Sequence, residues 1–509
     1  MKILDCTLRD GGYHTKWDFD HDLIVTYINS CNHLPLDYLE VGYRSIPLNG
    51  YFGEYFYLPK HVMEKLKSQS NKKLAVIINE KDIRPDQVQV LLSPCVGLID
   101  MVRLAIDPKQ FERALKLAEA VKGLGFEVGF NVMYMSKWKE QTNFLKILPE
   151  IKGIADYFYM VDSFGGVYPQ DVRDTIKMVK SFVSDVPLGF HGHNNMELAL
   201  INTLTALDEG CDIVDATITG MGRGAGNVKT ELLLTALNAQ GRMEVDFNPL
   251  SKVVDAFSEL QKSYDWGTNL PYMVSGAHSL PQKDVMDWVG KRYFSFNSII
   301  RALQNQALGI IDNEDLKNID LTFFKCKKAM IVGGGESIKK HNEAIRDFLN
   351  ENREIFIIHS SSKNAGFFKD LNNVQFFCLV GNEGVRLEGL FGDEKPQNII
   401  GILPPFPRKM GTYIPEFIRE KSYQLENNRF SGPASENVTS IVLELCYEIK
   451  ASQVLVVGYD GYSDSVSENQ LELFNENEEL FLEASNLKIQ SLTPTKYQNI
   501  KHKSIYSLL

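Results

Sequence analysis

Residues 188–218, LGFHGHNNMELALINTLTALDEGCDIVDATI, contain a short apolar run, a longer segment of helical periodicity and a second short apolar run. The two runs, Leu188–His193 and Ile213–Ile218, have the length and composition of β-strands. The segment Met196–Gly210 has the apolar spacing of an amphipathic helix. A strand, a helix and a strand in this order predict one βαβ unit with parallel strands.

The same alternation extends from this unit back to the start of the chain. Six more strand-like runs precede it, each separated from the next by a helical segment: Ile3–Thr7, Tyr38–Gly42, Leu74–Ile78, Ile99–Leu104, Phe126–Val132 and Tyr157–Asp162. Eight strands that alternate with helices over about 240 residues are typical of a (β/α)₈ TIM barrel. We therefore predict an α/β protein whose barrel domain spans residues 1–242.

The rest of the chain predicts two further parts. Apolar spacing favours a helical extension of the barrel at residues 243–322. Short strands and helices alternate again at 323–509, which predicts a doubly wound, Rossmann-like α/β domain. Within it, the acidic segment Glu468–Glu483 keeps apolar residues at intervals and predicts an exposed amphipathic helix.

The composition limits the classes of function. The 509 residues carry 54 Lys and Arg against 65 Asp and Glu, and the net charge of −11 disfavours nucleic acid and anionic lipid as partners. No stretch approaches the ~20 apolar residues of a membrane span, and the start lacks a basic region followed by an apolar one. The seven cysteines are scattered, which fits reduced, packed thiols. We expect a cytoplasmic protein that binds neither nucleic acid nor membrane.

Ligand-type side chains follow the strands at the end where barrel enzymes have their active sites. His191 and His193 are two residues apart on one predicted strand, so both imidazoles project from the same face. Asp10 follows the first strand and Asn227 follows the eighth, and barrel closure makes these strands neighbours. The four ligands favour Mn²⁺, with Co²⁺ and Zn²⁺ as alternatives and Mg²⁺ less favoured by nitrogen ligands. The other interpretation is that Asp10 only pairs with Arg9.

Three motifs at these positions resemble one family. TLRDGG at 7–12, HGHN at 191–194 and GMGRGAGN at 220–227 are similar to the motifs of the HMG-CoA-lyase-like metal-dependent barrels, the DRE-TIM metallolyases with a pyruvate carboxyltransferase-type domain. The resemblance covers roughly residues 1–300 and implies the barrel fold and a divalent metal. The superfamily contains aldolases, lyases and Claisen synthases.

Departures from the family motifs narrow the reaction. The Claisen synthases follow the arginine–aspartate–glycine with a glutamine and a proline–glycine turn, whereas this chain continues Gly12-Tyr13-His14. The CoA lyases carry a cysteine in the glycine loop after strand eight, and residues 220–227 contain none. The resemblance is therefore strongest to the 4-hydroxy-2-oxovalerate aldolase-like proteins, which act on a small-molecule 2-oxo acid and an aldehyde.

The resemblance assigns a role to each motif residue. It implies that Asp10, His191 and His193 bind the metal, that Asn227 is a less certain fourth ligand, and that Arg9 stabilises the enolate. The chemistry agrees, because cleavage of a 4-hydroxy-2-oxo acid yields a pyruvate enolate, whose negative charge a metal and a guanidinium can stabilise.

A general base must also take the proton of the 4-hydroxyl group. The family aldolases place a histidine three residues after the metal-binding aspartate, where this chain has Tyr13, and His14 comes one residue later. We expect His14 to be the base. Tyr13, a metal-bound water or the lack of any equivalent residue are the alternatives.

Further polar residues are expected around the substrate. Asp162 and Ser163 resemble a family pair near the substrate carboxylate, although a carboxylate that braces neighbouring loops fits equally well. Arg103 and Asn131 lie near the ends of predicted strands and face the presumed rim, where a cation would attract an acidic substrate. The alternative is a network of ion pairs at the top of the barrel, which we prefer for Glu40.

The predicted C-terminal domain opens with a glycine turn. Gly333-Gly334-Gly335-Glu336-Ser337 ends a strand and begins a helix, so its backbone amides could bind the phosphate of a nucleotide or a sugar phosphate. It lacks the Lys-Ser/Thr ending of a P-loop, and a tight turn needs glycines for steric reasons anyway. The segment resembles the opening of pterin-pyrophosphokinase-like and sialyltransferase-like domains of bacterial surface-polysaccharide loci.

These features give one leading hypothesis and two alternatives. The leading one is a metal-dependent carbon–carbon lyase or aldolase that acts through a pyruvate-type enolate, with a modified sugar acid of surface-polysaccharide metabolism as the substrate. A Claisen-type acyltransferase on the same barrel is the first alternative. The second is a non-catalytic, metal-stabilised binding protein, which the retained Arg9 disfavours. The family resemblance also suggests a homodimer or a dehydrogenase partner.

Overall fold

The computed structural model describes residues 1–291, 294–321, 324, 326–391, 398–408, 410, 412–430, 435, 437–462 and 468–509. They form two compact units, Met1–Val285 and Met286–Leu509. The division falls inside the helix Gln282–Lys291. The boundary predicted between residues 322 and 323 lies outside the described residues, and the predicted domain limits stay a prediction.

The first unit contains a closed barrel of eight parallel strands. Each strand pairs with the next, and the eighth pairs with the first, so the predicted TIM barrel is confirmed. The strands are β1 (Lys2–Asp5), β2 (Tyr38–Tyr43), β3 (Lys73–Asn79), β4 (Met101–Ile106), β5 (Glu127–Val132), β6 (Tyr157–Asp162), β7 (Leu188–Gly192) and β8 (Ile213–Ala216).

Helices surround the barrel and continue beyond it to the end of the unit. Those up to the eighth strand are α1 (Thr7–Thr15), α2 (His21–Cys31), α3 (Glu54–Tyr57), α4 (Lys60–Gln69), α5 (Val88–Leu92), α6 (Phe111–Lys122), α7 (Thr142–Ile147), α8 (Pro169–Phe182) and α9 (Ala199–Asp208). Those after it are α10 (Thr230–Ala239), α11 (Phe247–Tyr264), α12 (Leu270–Ala277) and α13 (Gln282–Lys291). Helix α11 packs on α2 and buries Leu250, Val253 and Phe257, as the apolar spacing predicts.

The first strand ends at Asp5, two residues earlier than expected, because the helix α1 begins at Thr7. The side chain of Asp5 stabilises this helix start. Its Oδ1 accepts hydrogen bonds from the backbone amide and the hydroxyl of Thr7, at 3.0 and 2.6 Å. The first backbone amides of a helix have no partner inside the helix, and in many proteins an N-cap side chain accepts from them. Asp5 does this for the amide of Thr7 in α1. The segment that carries Asp10 is therefore helical rather than a loop.

The second unit is built on one eight-stranded sheet. Its strands are β9 (Lys328–Val332), β10 (Phe356–His359), β11 (Gln375–Cys378), β12 (Ile399–Leu403), β13 (Ser422–Gln424), β14 (Gln453–Val457), β15 (Ile489–Ser491) and β16 (Lys501–His502). All pairs are parallel, in the order β13-β12-β11-β10-β9-β14-β15-β16. The order reverses next to β9, as in doubly wound sheets. The narrower Rossmann-like assignment stays a prediction.

Helices cover both faces of this sheet. The helices of this unit are α14 (Phe296–Ala307), α15 (Ser337–Glu351), α16 (Glu383–Phe391), α17 (Val438–Glu448) and α18 (Glu468–Glu483). Alternate residues of β9 enter different cores: Ala329 and Ile331 pack with α17, whereas Met330 and Val332 pack with α15. The predicted acidic helix is α18, which buries Leu480 and Phe481. No helix in the described ranges combines the length and the apolarity that crossing a bilayer requires.

His359, at the end of β10, is a buried histidine that this unit keeps neutral. Its ring stacks on Phe377 with centroids 4.2 Å apart, and its Nε2 is 2.8 Å from Gln375 Oε1. Its Nδ1 is buried without a hydrogen-bond partner in the described part of the chain. Burial lowers the pKa of His359 to about 4, only partly opposed by the bond to Gln375. Protonation of Nδ1 would bury a charge and an unpaired N–H group.

This arrangement predicts an acid sensitivity of the second unit. Because the folded-state pKa lies below the ordinary value of 6.5, the stabilisation is complete above pH 6.5 and is lost as the pH falls towards 4. Between pH 7 and pH 5, β10 should lose about 2 kcal/mol of protection in native-state hydrogen exchange. The loss should be absent in His359→Phe and unchanged in the control His502→Phe, which alters an exposed histidine. An equal loss in all three proteins would contradict the prediction.

Candidate metal centre and active site

Three ligand atoms meet at the carboxyl-terminal end of the barrel. Asp10 lies in α1, directly after β1, while His191 lies in β7 and His193 just beyond it. His191 Nε2 is 3.4 Å from His193 Nε2, and Asp10 Oδ2 is 3.8 Å from the first nitrogen and 4.0 Å from the second. Two atoms that each bind one ion at ~2.1 Å are at most ~4.2 Å apart. The three atoms can therefore share a single ion.

Asn227 joins this group from the loop after β8. Its Nδ2 donates to Asp10 Oδ2 over 2.5 Å, and its Oδ1 is buried without a hydrogen-bond partner among the residues that the structure describes. Gly222 makes room for this contact, because a Cβ there would lie 2.3 Å from Asn227 Nδ2 and 3.1 Å from Asp10 Oδ2. A buried oxygen without a partner, beside three ligand atoms, fits the role predicted for a fourth ligand.

The surroundings hold two of these groups in the protonation states that metal binding requires. Burial raises the pKa of Asp10, but the charges of Arg9, His191 and His193 outweigh it and lower the pKa to about 2. Burial, reinforced by the charge of a protonated His191, lowers the pKa of His193 to about 3. At neutral pH, Asp10 is therefore an anion and His193 offers a lone pair.

Asp215, in β8, orients His191. Its Oδ2 lies 2.7 Å from His191 Nδ1, which fixes the proton on Nδ1 and leaves Nε2 to face Asp10 and His193. Sequence analysis did not identify this residue, although a carboxylate inside the apolar run Ile213–Ala216 was a usable signal. Together with His191, Asp215 also belongs to a second group of ligand-type atoms that includes Cys6. Burial raises the pKa of the Cys6 thiol, so it is a neutral, poor ligand.

Arg103 lies beneath the cavity and not at the substrate position that the sequence predicts. Its side chain is fully buried, its Nη2 donates to Asp215 and its Nη1 is 3.2 Å from Glu40 Oε2. Its guanidinium carbon is 4.1 Å from the centre of the Tyr159 ring, within the range of a cation–π contact. Arg103 is therefore part of a buried network of ion pairs with Asp215 and Glu40, which was the alternative to a substrate-binding role.

Arg9 connects this network to the metal ligands. Its Nε donates to Glu40 Oε2 over 2.7 Å and its Nη1 donates to Asp10 Oδ1 over 2.6 Å. Burial lowers the pKa of Arg9, but the carboxylates of Asp10 and Glu40 raise it well above its ordinary value. Arg9 is therefore a permanent, oriented cation beside the ligand group.

A cavity of about 480 Å³ opens over these residues. Its metal end is lined by Arg9, Asp10, His191, His193 and Arg223, and its middle by Tyr13, Tyr43, Asn131, Met133, Tyr134 and Ser163. The remaining wall is formed mainly by residues that follow β3 and β4. The volume is in the range of small-molecule sites.

The two candidates for the general base lie differently. Tyr13 lines the cavity, with its hydroxyl 3.2 Å from the Tyr43 hydroxyl. His14 does not line the cavity; its Nε2 is 2.9 Å from the carbonyl oxygen of Gly222, to which it donates, and its ring lies against Trp266. Tyr13 therefore faces the cavity, whereas His14 is turned away from it towards Gly222.

Asp162 and Ser163 have different positions, although the sequence leaves a substrate-binding and a structural role open for both. Asp162 does not line the cavity, and its carboxylate accepts from the backbone amides of Gly166 and Val167, each at 3.3 Å. Burial raises the pKa of Asp162 to about 6, although these amides lower it. Ser163 does line the cavity, and its hydroxyl accepts from the backbone amide of Tyr134 over 2.9 Å. Asp162 thus braces the backbone of residues 166 and 167, and Ser163 faces the cavity.

The glycine turn of the second unit already holds a carboxylate. Asp460 follows β14, and its Oδ2 accepts from the backbone amide of Ser337 over 2.8 Å, at the first residue of α15. A Cβ on Gly335 would lie 2.5 Å from this carboxyl group. A phosphate would have to displace Asp460 or bind beside it. Binding of a nucleotide or sugar phosphate at Gly333, Gly334, Gly335 and Ser337 stays a prediction.

The profile of the HMGL-like family matches residues 1–257, which is about half of the chain and lies within the barrel unit. The chain belongs to the HMGL-like family. Members of this family are enzymes that depend on a divalent metal, and this HMGL-like protein is accordingly a lyase. The ligand group and the oriented Arg9 are the parts of the barrel that fit this family.

Relatives and a solved structure agree with the family. The 4-hydroxy-2-oxovalerate aldolase of Pelotomaculum thermopropionicum is 32% identical over 274 residues, 51% of this chain and 76% of the relative. The oxaloacetate decarboxylase of Mycobacterium tuberculosis is 28% identical over 267 residues, 50% of this chain and 74% of the relative. The crystal structure of "the N-terminal domain of a putative aldolase" from Bacteroides vulgatus is 56% identical, with a TM-score of 0.57, and covers 59% of this chain and 100% of that chain.

Loss of the Asp215 carboxylate should weaken metal binding in this HMGL-like barrel. Asp215→Asn keeps the shape but removes the charge that orients His191 and balances Arg103. Such outer partners typically contribute 10–100-fold to metal affinity. Titration of Mn²⁺ against a competing chelator should show a loss of that size.

The control is Asp18→Asn, a surface carboxylate whose Oδ2 accepts only from the exposed Tyr51 hydroxyl in the described structure. Its Mn²⁺ affinity should equal that of the wild type. Circular dichroism with EDTA present should show that Asp215→Asn is still folded. Wild-type affinity in folded Asp215→Asn would contradict the orienting role.

Proposed function

We propose that the protein is a divalent-metal-dependent aldolase that cleaves or forms the C3–C4 bond of a 4-hydroxy-2-oxo acid through a pyruvate-type enolate. One observation carries the proposal: the Arg9 guanidinium and the ligand group Asp10, His191 and His193 line the same cavity. The names of relatives at about 30% identity support the same chemistry.

In the cleavage direction, the electron pair of the C3–C4 bond moves onto the 2-oxo group, which leaves an aldehyde and the enolate of pyruvate. A bound divalent metal would polarise the 2-oxo group. Arg9 contributes a guanidinium whose Nε and Nη1 are held by Glu40 and Asp10, while its Nη2 has no hydrogen bond to a described residue. This free N–H group is suited to the enolate oxygen, where negative charge develops.

The proton of the 4-hydroxyl group needs a path out of the cavity. Tyr13 and Tyr43 form a hydroxyl pair on the cavity wall, 3.2 Å apart. We infer that Tyr13 accepts the hydrogen bond of the substrate hydroxyl and that the pair passes the proton on to water. His14 is left out of this path because it donates to Gly222.

We propose Mn²⁺ as the metal. Two imidazole nitrogens combined with carboxylate and amide oxygens suit Mn²⁺, Co²⁺ or Zn²⁺ better than Mg²⁺, which prefers oxygen ligands. His191 and His193 would supply the nitrogens, and Asp10 and Asn227 the oxygens.

A second candidate reaction is the decarboxylation of oxaloacetate. A relative that is 28% identical carries this name. Loss of CO₂ from oxaloacetate also produces the enolate of pyruvate, so the same Arg9 and metal ligands would serve it. The two reactions differ in the group that leaves C3, and Tyr13 would be needed only for the aldol reaction.

Pyruvate release tests the proposal directly. With Mn²⁺, the protein should release pyruvate from a panel of 4-hydroxy-2-oxo acids in an assay coupled to lactate dehydrogenase, and EDTA should abolish the release. Arg9→Lys should lower kcat by about 10²–10³-fold, the effect of losing one oriented donor at a developing oxyanion. The control Arg44→Lys should stay near the wild type, because Arg44 donates to backbone carbonyls outside the cavity. Release from oxaloacetate alone would favour the decarboxylase and overturn the aldolase.

The neighbouring residues Tyr13 and His14 provide a matched pair for the proton path. Tyr13→Phe should lower kcat by about 10²-fold, within the range of general acid–base catalysis, and should leave Mn²⁺ affinity unchanged. His14→Gln, which can still donate to Gly222, should keep the rate and the pH profile of the wild type. The opposite pattern would return the role of base to His14.

A further inference from the structure

The cavity has a second polar region, opposite the metal ligands. Asn79 ends β3, Lys81 follows it, and Asp107 and Gln110 follow β4; all four line the cavity. In the closed barrel, β3 and β4 lie four strands away from β7 and β8, which is the opposite side of the mouth. We call these four residues the acceptor wall.

The acceptor wall offers hydrogen-bonding groups that the protein itself leaves available. Within the described residues, the side-chain amides of Asn79 and Gln110 and the ammonium group of Lys81 make no hydrogen bond. Asp107 uses Oδ1 to accept from the backbone amide of Lys109 over 3.0 Å, and its Oδ2 stays available. A side-chain amide both donates and accepts hydrogen bonds, and so does a hydroxyl group. A ligand with several neighbouring hydroxyl groups is therefore complementary to these amides.

The charges around the acceptor wall cancel. Glu80 is buried and accepts from Arg113 of α6 through both carboxylate oxygens, one of these contacts being 2.9 Å. This pair fixes the segment after β3 against α6 and neutralises both partners. Lys81 and Asp107 carry one opposite charge each. A phosphate or carboxylate at this end would therefore meet no net positive charge, whereas Arg9 and Arg223 line the metal end.

The distance between the walls favours a long substrate. Eight strands ~4.8 Å apart, tilted by ~36°, give a barrel about 15 Å across. The adduct of pyruvate with a two-carbon aldehyde is a five-carbon acid, which would bind through its C1 and C2 oxygens at the metal end. The 480 Å³ cavity corresponds to about 16 waters at ~30 Å³ each, which exceeds what such an adduct fills.

We propose that the aldehyde half of the substrate is an uncharged, polyhydroxylated aldehyde, an open-chain aldose, whose hydroxyl groups bind Asn79, Asp107 and Gln110 across the mouth of the barrel. This inference rests on the proposed aldolase function and names its substrate class. In the condensing direction, C3 of pyruvate loses a proton and bonds to the aldehyde carbon, and the aldehyde oxygen gains a proton. The product is a 4-hydroxy-2-oxo sugar acid that contains every atom of both substrates.

The test is condensation of pyruvate with a set of aldehydes, using the full-length protein with Mn²⁺. The set contains acetaldehyde, propionaldehyde, glyceraldehyde, erythrose, arabinose and erythrose 4-phosphate, with product measured by mass spectrometry. We expect kcat/KM for erythrose or arabinose, expressed per concentration of the open-chain aldehyde, to exceed that for acetaldehyde by at least about tenfold, the effect of one or two hydrogen bonds. Erythrose 4-phosphate should be no better than erythrose.

Variants of the acceptor wall separate hydrogen bonding from size. Asn79→Leu and Gln110→Leu keep the approximate volume but remove the amides, so each should lower kcat/KM for the aldoses about tenfold more than it lowers kcat/KM for acetaldehyde. Gln89→Leu, on the exposed surface of α5, is the matched control and should change neither.

Three outcomes would overturn the inference, and they are distinguishable. Equal kcat/KM for acetaldehyde and the aldoses, with no effect of the two variants, would reject the substrate class while the aldolase function stands. Preference for erythrose 4-phosphate would reject the uncharged substrate. No metal-dependent condensation or cleavage with any member of the set would reject the proposed function and the inference together.

Discussion

A single buried guanidinium, that of Arg103, holds two carboxylates in place at the centre of the barrel. It pairs with Asp215 and Glu40, and all three side chains are buried. Asp215 in turn orients His191, and Glu40 orients Arg9. A buried ion without a partner costs several kcal/mol, so no member of this network can leave alone. One cation therefore positions both a metal ligand and the residue assigned to the enolate.

Much of the barrel could be predicted because its signals are local. Strand length and helical spacing lie within a few residues, and so does the strand period of two that puts His191 and His193 on one face. Asp215 was missed because its partners Arg103 and His191 are 112 and 24 residues away. The difference in position between Tyr13 and His14 could not be predicted for another reason. They lie on a helix, where successive residues differ by about 100°, so Tyr13 faces the cavity and His14 faces Gly222.

In the second unit too, contacts between residues far apart in the sequence could not be predicted. Its strands and its glycine turn follow from local sequence, and the parallel order with a reversal beside β9 puts that turn where doubly wound sheets often bind ligands. Asp460, 123 residues after Ser337, accepts hydrogen bonds from Ser337 at this turn. A phosphate at this turn would have to displace this carboxylate or bind beside it. The glycine at position 335 allows a close approach, and the carboxylate of Asp460 makes that approach.

The glycine at position 222 has a consequence for how this barrel could change its chemistry. Even a methyl group there would press into the contact between Asn227 and Asp10. A substitution at the metal end would thus disturb a buried contact, whereas Lys81 and Gln110 on the opposite side are exposed. Under the proposed function, substitutions on that rim alone could change which aldehyde is accepted, without altering Arg9 or the ligand group.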